Sequence, residues 1–154
     1  SISNIKISSL RKMIGIVSQD TFLFNTTLAE NISYGQNNKT MEDIINAAKL
    51  ANAHEFIGNL DSGYETIIGE RGVKLSDGQK QRIGIARELY RNNEILELDE
   101  ATSTLDVKTE DEILETLSNL KRSKTIIIIS HRNNTIKICD RVISLTANPF
   151  LSYH

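Results

Sequence analysis

The chain has 154 residues, of which 39% are hydrophobic and 25% are charged, and its formal net charge at pH 7 is -2. These values are ordinary for a soluble globular domain, and the charge gives no sign of a nucleic-acid or anionic-membrane partner. The single cysteine, Cys139, excludes an internal disulfide framework and fits a reducing compartment. The longest apolar run, Thr125–Ile129, is far too short to cross a bilayer, which requires about 20 residues.

The first clear pattern along the chain is a β-branched run, Ile14–Val17, which predicts a buried strand. A polar loop starts at Ser18. A helix is predicted from Thr40, because acidic residues in its first turn favour the positive end of the helix dipole and apolar residues then recur at helical spacing. Residues 61–72 are rich in glycine and charge, and therefore predict an irregular connection.

The second half alternates predicted helices and strands. In chain order these are a helix after an N-cap at Ser76, a strand at 94–98, an amphipathic helix at 110–120, a strand at Thr125–Ile129, a short helix at 135–139 and a last strand at 141–145. The apolar strand Thr125–Ile129 is suited to burial on both faces, as in a parallel sheet flanked by helices. We therefore predict an α/β fold. Residues 146–154 show no usable pattern.

Two adjacent acids, Asp99 and Glu100, follow an apolar strand and are expected at the carboxyl end of a sheet, where ligands bind in open α/β folds. At such an edge the first acid can hold a hydrated Mg²⁺ ion and the second can polarise an attacking water. A solvated strand end carrying two acids is an equally good interpretation of this pair alone.

Two further features have the same ambiguity. His131 follows the strand Thr125–Ile129, so its imidazole is expected at the same edge, where it could stabilise a phosphate. For this histidine taken alone, a surface or packing role is the favoured interpretation. The segment from Ser76 to Gln79 precedes a helix, and Gly78 allows close approach of an anion to the helix N-terminus. A plain helix cap explains Ser76 equally well.

The order of these features along the chain resembles the ABC ATPase family. Gln19 matches the Q-loop, 75–79 the LSGGQ signature, 95–100 the Walker B strand, 103–106 the D-loop and His131 the switch histidine of that family. The resemblance extends from about residue 2 to residue 145. It implies a partial P-loop NTPase-like (ABC ATPase) fold, mainly a parallel sheet flanked by helices, with a helical signature subdomain at about residues 20–90 in a domain of residues 1–145.

Four other stretches are similar to the exporter branch of the family, of the multidrug and peptide type. They are residues 21–24 and 30–35, which follow the Q-loop, and residues 63–65 and 69–72, which precede the signature. In exporters the stretch before the signature contacts the coupling helices of a transmembrane domain. The resemblance therefore implies a transmembrane partner and a place at the cytoplasmic face of the cell membrane, or in the cytoplasm if the chain is expressed alone.

The resemblance also implies roles for the residues around a bound ATP and its Mg²⁺ ion. Gln19 would sense Mg²⁺ and nucleotide and report to the membrane domain. Asp99 would hold Mg²⁺ through water, and Glu100 would act as the general base on the attacking water. His131 would contact the γ-phosphate.

A second set of residues is implied to act across a pair of domains, because the family works as a head-to-tail dimer of ATPase domains. Ser76, Gly78 and Gln79 would close over ATP held by the partner domain. Asp106 would lie at the interface of the pair.

The sequence departs from the family pattern in several places. It contains no Walker A sequence, Gly-x-x-x-x-Gly-Lys followed by Ser or Thr, which cradles the phosphates. Asp77 stands where the family has a signature glycine, and Glu97 replaces an apolar residue in the Walker B strand, where a buried carboxylate would be costly. We therefore expect a fragment with little ATPase activity, exposed strand edges and poor solubility.

Three functions follow as hypotheses. The first is part of the ATP-hydrolysing domain of an exporter that moves a substrate across a membrane. The second is a non-catalytic interaction module that completes the site of a partner ATPase domain. The third is a fragment of a soluble ABC ATPase of DNA repair or translation, against which the near-neutral charge and the exporter-like residues 30–35 both argue; we expect no nucleic-acid partner.

Overall fold

A computed structural model of the chain describes residues 5–36 and 40–144. Its helices are α1 (Ile7–Met13), α2 (Leu28–Ile32), α3 (Met41–Leu50), α4 (His54–Gly58), α5 (Asp77–Arg91), α6 (Val107–Leu120) and α7 (Asn133–Ile136). Its strands are β1 (Ile14–Val17), β2 (Ile95–Asp99) and β3 (Thr125–Ile129). Within these residues no helix is both long and apolar enough to cross a membrane.

The three strands form one parallel sheet in the order β1-β2-β3. In its register Val17 pairs with Leu98, and Leu98 pairs with Ile128. Because all three strands point the same way, the loops that follow them leave from a single edge of the sheet. The predicted α/β class with a parallel sheet flanked by helices is confirmed.

One face of this sheet forms the core of the chain. Val17, Leu96 and Leu98 are buried and join a single cluster with Ile85 of α5 and Ile113 of α6. These strand residues alternate with exposed or half-buried ones, as the two-residue period of a strand requires. Burial of this face therefore fixes which residues of β2 point inward.

The opposite face of the sheet is open in the described part of the chain. Ile16 is 58% exposed and Ile127 is 49% exposed, and Glu97 pairs in register with both and is half-buried. The prediction that β3 is buried on both faces is therefore wrong for the described residues, because none of their helices covers this side. For the same reason the carboxylate of Glu97 does not carry the burial cost that the sequence suggested.

The helical elements agree in part with the sequence pattern. The predicted helix after Thr40 is α3, and the Thr40 hydroxyl accepts a hydrogen bond from the Asp43 amide at 3.1 Å. The connection at 61–72 contains two 3-10 turns, Gly63–Glu65 and Glu70–Gly72. Helices α2 and α3 pack against α5, which begins at the predicted N-cap, Ser76. The short helices α1, α2 and α4 were not predicted.

Several predicted boundaries change towards the end of the chain. The amphipathic helix starts at Val107 rather than at 110, because Asp106 caps it. The short helix occupies Asn133–Ile136 rather than 135–139. Residues 141–144 form no strand, so the last strand predicted at 141–145 is wrong over these residues, where no described strand pairs with them. Leu145 and the tail 146–154 lie outside the described residues.

The two faces of β2 give a direct test of the packing. We expect Leu98→Ala, which removes a 1% exposed core side chain, to lower the free energy of unfolding by about 2–5 kcal/mol. The matched change Glu97→Ala, one position earlier on the open face, is expected to cost less than about 1 kcal/mol. Urea unfolding of both variants measures the two values. Equal losses would contradict the assignment of the inner and outer faces.

Candidate functional site

The strand ends of β2 and β3 bring Glu100 and His131 together. The amide of Glu100 donates a hydrogen bond to the carbonyl of Ile129 at 3.0 Å, which ties the turn after β2 to the end of β3. Glu100 has a φ of 49°, a left-handed conformation that is uncommon for a residue with a side chain. Its Oε1 atom lies 3.4 Å from Nδ1 of His131. The structure thus places a carboxylate and an imidazole side by side at the carboxyl end of the sheet, as predicted.

Asp99 occupies the last position of β2, and its side chain is exposed at the same edge. No described residue donates a hydrogen bond to its carboxylate. Mg²⁺ in proteins commonly keeps several waters and takes only one or two carboxylates together with substrate phosphates. Asp99 and Glu100 supply oxygen donors of this kind, so the residues fit such an ion. Three or more His, Cys, Asp or Glu side chains do not gather around one point anywhere in residues 5–36 and 40–144.

Gln19 lies two residues beyond the end of β1, at the same edge, with its side chain exposed. Its backbone carbonyl accepts a hydrogen bond from Nε2 of Gln81 at 3.3 Å. The other end of that amide, Oε1 of Gln81, accepts from the hydroxyl of Thr104 at 2.5 Å. The buried side chain of Gln81 therefore connects helix α5 to two loops. One loop contains Gln19, and the other is the loop that precedes Asp106.

The sequence reasoning missed Gln81. A signal for it was present, because Gln81 lies one helical turn before the core residue Ile85, on the buried side of α5. A polar side chain at such a position must find buried partners, and its two partners here lie on two separate loops. A groove of about 420 Å³ adjoins it and is lined by Gln19, Asp77, Lys80 and other residues of these segments.

Helix α5 begins with a complete capping box. The hydroxyl of Ser76 accepts from the amide of Gln79 at 3.3 Å, and the side-chain carbonyl of Gln79 accepts from the amide of Ser76 at 2.9 Å. A β-carbon on Gly78 would lie 3.4 Å from the carbonyl oxygen of Thr104, an ordinary contact distance, so the start of the helix lies beside that loop. Among the described residues the amides of Asp77 and Gly78 have no acceptor.

Asp77 stands at the start of this helix with its carboxylate exposed. It forms an ion pair with Lys80 at 3.1 Å, one turn further along α5. Because Asp77 replaces a signature glycine, it adds a negative charge at the start of the helix. The positive charge of Lys80 offsets it. Ser76, Gly78 and Gln79 thus lie together at the start of α5, and the loop around Thr104 lies next to Gly78.

Asp106 caps helix α6. Its Oδ1 atom accepts from the amide of Thr109 at 3.1 Å, and its Oδ2 atom accepts from the hydroxyl of Thr109 at 2.7 Å. These two hydrogen bonds lower the pKa of the Asp106 carboxyl below its ordinary value. The side chain predicted to lie at a domain interface therefore has a structural role within its own chain.

Comparison with known proteins identifies the family. Residues 1–103 match a model of the ABC transporter family. An ATP-dependent lipid A-core flippase from Syntrophus aciditrophicus (strain SB) is 51% identical over 144 residues, which are 94% of this chain and 24% of the flippase. ABC transporter B family member 4 of Dictyostelium discoideum is 52% identical over 142 residues, which are 92% of this chain and 18% of that protein.

A solved structure of a bacterial Atm1-family ABC exporter with ATP bound is also similar. Its TM-score is 0.83 at 47% identity, over 88% of this chain and 24% of the exporter chain. The chain thus spans about a quarter or less of the length of the relatives it matches.

The parallel sheet defines an α/β domain, and the family model and the similar exporter structure place it among the nucleotide-binding domains of exporter type. Within that class, the chain belongs to the ABC transporter family. The resemblance inferred from the order of the sequence motifs is therefore confirmed. The roles of individual site residues remain predictions.

The capping role of Asp106 predicts a pH-dependent stability. Because its pKa is lowered in the folded state, Asp106 stabilises the fold above its unfolded pKa and loses this contribution as the pH falls through the lowered folded value. Asp106→Asn keeps a capping side chain but does not titrate. We expect the stability advantage of wild type over Asp106→Asn to shrink from about pH 7 to about pH 3 in urea unfolding. An advantage that does not change with pH would contradict this role.

Proposed function

We propose that this chain is part of the ATP-hydrolysing domain of an ABC exporter, which couples ATP hydrolysis to movement of a substrate across a membrane. The observation that carries the proposal is the approach of Glu100 to His131, at 3.4 Å, on the sheet edge where Asp99 also ends β2. The similarity to proteins named as a flippase and an ABC exporter supports the direction of transport.

In the proposed reaction Glu100 acts as general base and accepts a proton from the water that attacks the γ-phosphate of ATP. The bond between the γ-phosphorus and the bridging oxygen breaks, and ADP leaves with that oxygen. His131, whose side chain is exposed beside it, donates a hydrogen bond to that phosphate and disperses charge that develops there. Asp99 would hold a Mg²⁺ ion, and the ion would neutralise negative charge on the phosphates. Gln19 senses the occupied site and passes the signal to a transmembrane domain.

The start of α5 is proposed to act on a second ATPase domain in a head-to-tail pair. The free amides of Asp77 and Gly78, at the N-terminus of a 15-residue helix, offer hydrogen bonds and a positive dipole end to a phosphate. Ser76, Gly78 and Gln79 would thus close over ATP held by the partner domain, with Asp106 at the interface. As part of an exporter, the chain would lie at the cytoplasmic face of the membrane.

The general base can be tested in the complete protein that carries this chain. We expect Glu100→Gln to lower kcat for ATP hydrolysis by about 10²–10⁴-fold, because the amide cannot accept the proton from water. Glu97→Gln is the matched control, since it makes the same change in the strand that leads to Glu100 but away from the edge, and it is expected to leave kcat within about twofold.

Measurement of phosphate release at saturating ATP distinguishes the outcomes. A Glu100→Gln protein that retains wild-type kcat would remove the general base from the proposal. An equal loss in Glu97→Gln would show that the effect comes from the strand and not from the carboxylate at its end.

A second candidate function is a non-catalytic module that completes the site of a partner ATPase domain, and the intact capping box at Ser76 favours it. The 154 residues contain no Walker A sequence, so we expect the isolated chain to hydrolyse little ATP. As a module it should co-purify with an intact ATPase domain in an ATP-dependent manner, and Ser76→Arg should abolish this. If the isolated chain hydrolyses ATP and Glu100→Gln abolishes this activity, the expected inactivity is contradicted. If the chain does not associate with an intact ATPase domain in an ATP-dependent manner, the module is eliminated.

A further inference from the structure

Arg132, the residue after His131, makes two charge-assisted hydrogen bonds to the segment that follows Glu100. Its Nη1 atom donates to Oε2 of Glu110 at 2.8 Å, and its Nη2 atom donates to the carbonyl of Ser103 at 2.7 Å. Neither Arg132 nor Glu110 has a role predicted from the sequence. Both bonds are short, and they leave the guanidinium with a fixed orientation.

Glu110 is a buried carboxylate in the first turn of α6. Its other oxygen, Oε1, accepts from the hydroxyl of Thr102 at 3.1 Å, so both of its oxygens have partners. Arg132 is the cation paired with this carboxylate, and a buried carboxylate requires such pairing. The contact between Arg132 and Glu110 is therefore constrained far more strongly than an exposed ion pair would be.

The loop that carries His131 is held at several points. The amide of Arg132 donates to the hydroxyl of Ser130 at 3.0 Å, and the Ser130 hydroxyl lies 3.2 Å from that of Thr135 at the start of α7. On the other side, the amide of Glu100 donates to the carbonyl of Ile129. Two contacts thus join the turn that carries Glu100 to the turn that carries His131. One is this backbone hydrogen bond, and the other is made by the guanidinium of Arg132.

We propose that Arg132 and Glu110 form a positioning pair that holds His131 at its working distance from Glu100. This inference rests on the proposed function of Glu100 and His131. Arg132 is not a catalytic residue, because its side chain is occupied by Glu110 and by the carbonyl of Ser103. It acts through His131, and its contribution should disappear when the imidazole is removed.

The test uses Arg132→Lys in the complete protein that carries this chain. Lysine keeps the charge opposite Glu110 but cannot bond at the same time to Glu110 and to Ser103 in the fixed geometry of guanidinium. We expect kcat for ATP hydrolysis to fall about 10- to 100-fold with KM within about twofold, because a small displacement of a reacting group is costly. In a His131→Ala background, Arg132→Lys should cause less than about a twofold further loss.

Amide hydrogen exchange gives a readout that does not depend on ATP. We expect Arg132→Lys to speed exchange in peptides that cover residues 130–132 and 101–103 and to leave β1 unchanged. Glu110→Gln, which weakens the same pair from helix α6, should give the same pattern and serves as the second variant. Arg91→Lys is the matched control, because Arg91 pairs with the largely buried Glu88 at 3.3 Å but does not contact the loops of Glu100 or His131. It should leave kcat and both peptides unchanged.

The outcomes separate this inference from the proposed function. If wild type hydrolyses no ATP, the proposed function fails, and the exchange pattern still decides whether Arg132 holds the two loops. Unchanged exchange at residues 130–132 in both variants would overturn the positioning pair. An equal fold-loss of kcat from Arg132→Lys in the wild-type and His131→Ala backgrounds would also overturn it.

Discussion

Parallel pairing of β1, β2 and β3 is the constraint on which the site depends. Three strands that run in the same direction place the loops that follow them at one edge of the sheet. For this reason residues 112 positions apart in the chain lie at that edge, which carries Gln19, Asp99, Glu100 and His131. The register is fixed by burial of one face, since a slip of one residue would turn Leu98 outward and Glu97 into the core.

The segment between β2 and α6 gains its shape from three other parts of the chain. Gln81 of α5 binds Thr104, Arg132 of the loop after β3 binds the carbonyl of Ser103, and Glu110 of α6 binds Thr102. Each contact is polar and at least partly buried, so each must be satisfied for the segment to pack. The shape of this segment is therefore set by side chains that pair with other parts of the same chain.

The parts of the fold that sequence predicted are those with a strong local pattern. β1 and β3 are uninterrupted β-branched or apolar runs, and α5 begins at a capping residue, Ser76, that acts over three positions. Helices α1, α2 and α4 are five to seven residues long, too short to show a clear period, and tertiary contacts rather than propensity form them. The pairing of Arg132 with Glu110 joins residues 22 positions apart, and no local pattern specifies it.

The central claim, that the carboxyl edge of this sheet receives the phosphates and the metal ion, can be tested by iron-directed cleavage. Fe²⁺ replaces Mg²⁺ in the complete protein in the presence of ATP, hydrogen peroxide and ascorbate. Fe²⁺ reduces the peroxide to hydroxide and a hydroxyl radical, the radical cuts the nearest backbone, and ascorbate returns Fe³⁺ to Fe²⁺. The account predicts ATP-dependent cuts near Asp99 and near His131, with loss of the cuts in Asp99→Ala. Cuts confined to other parts of the chain, or cuts near Asp99 that do not require ATP, would contradict it.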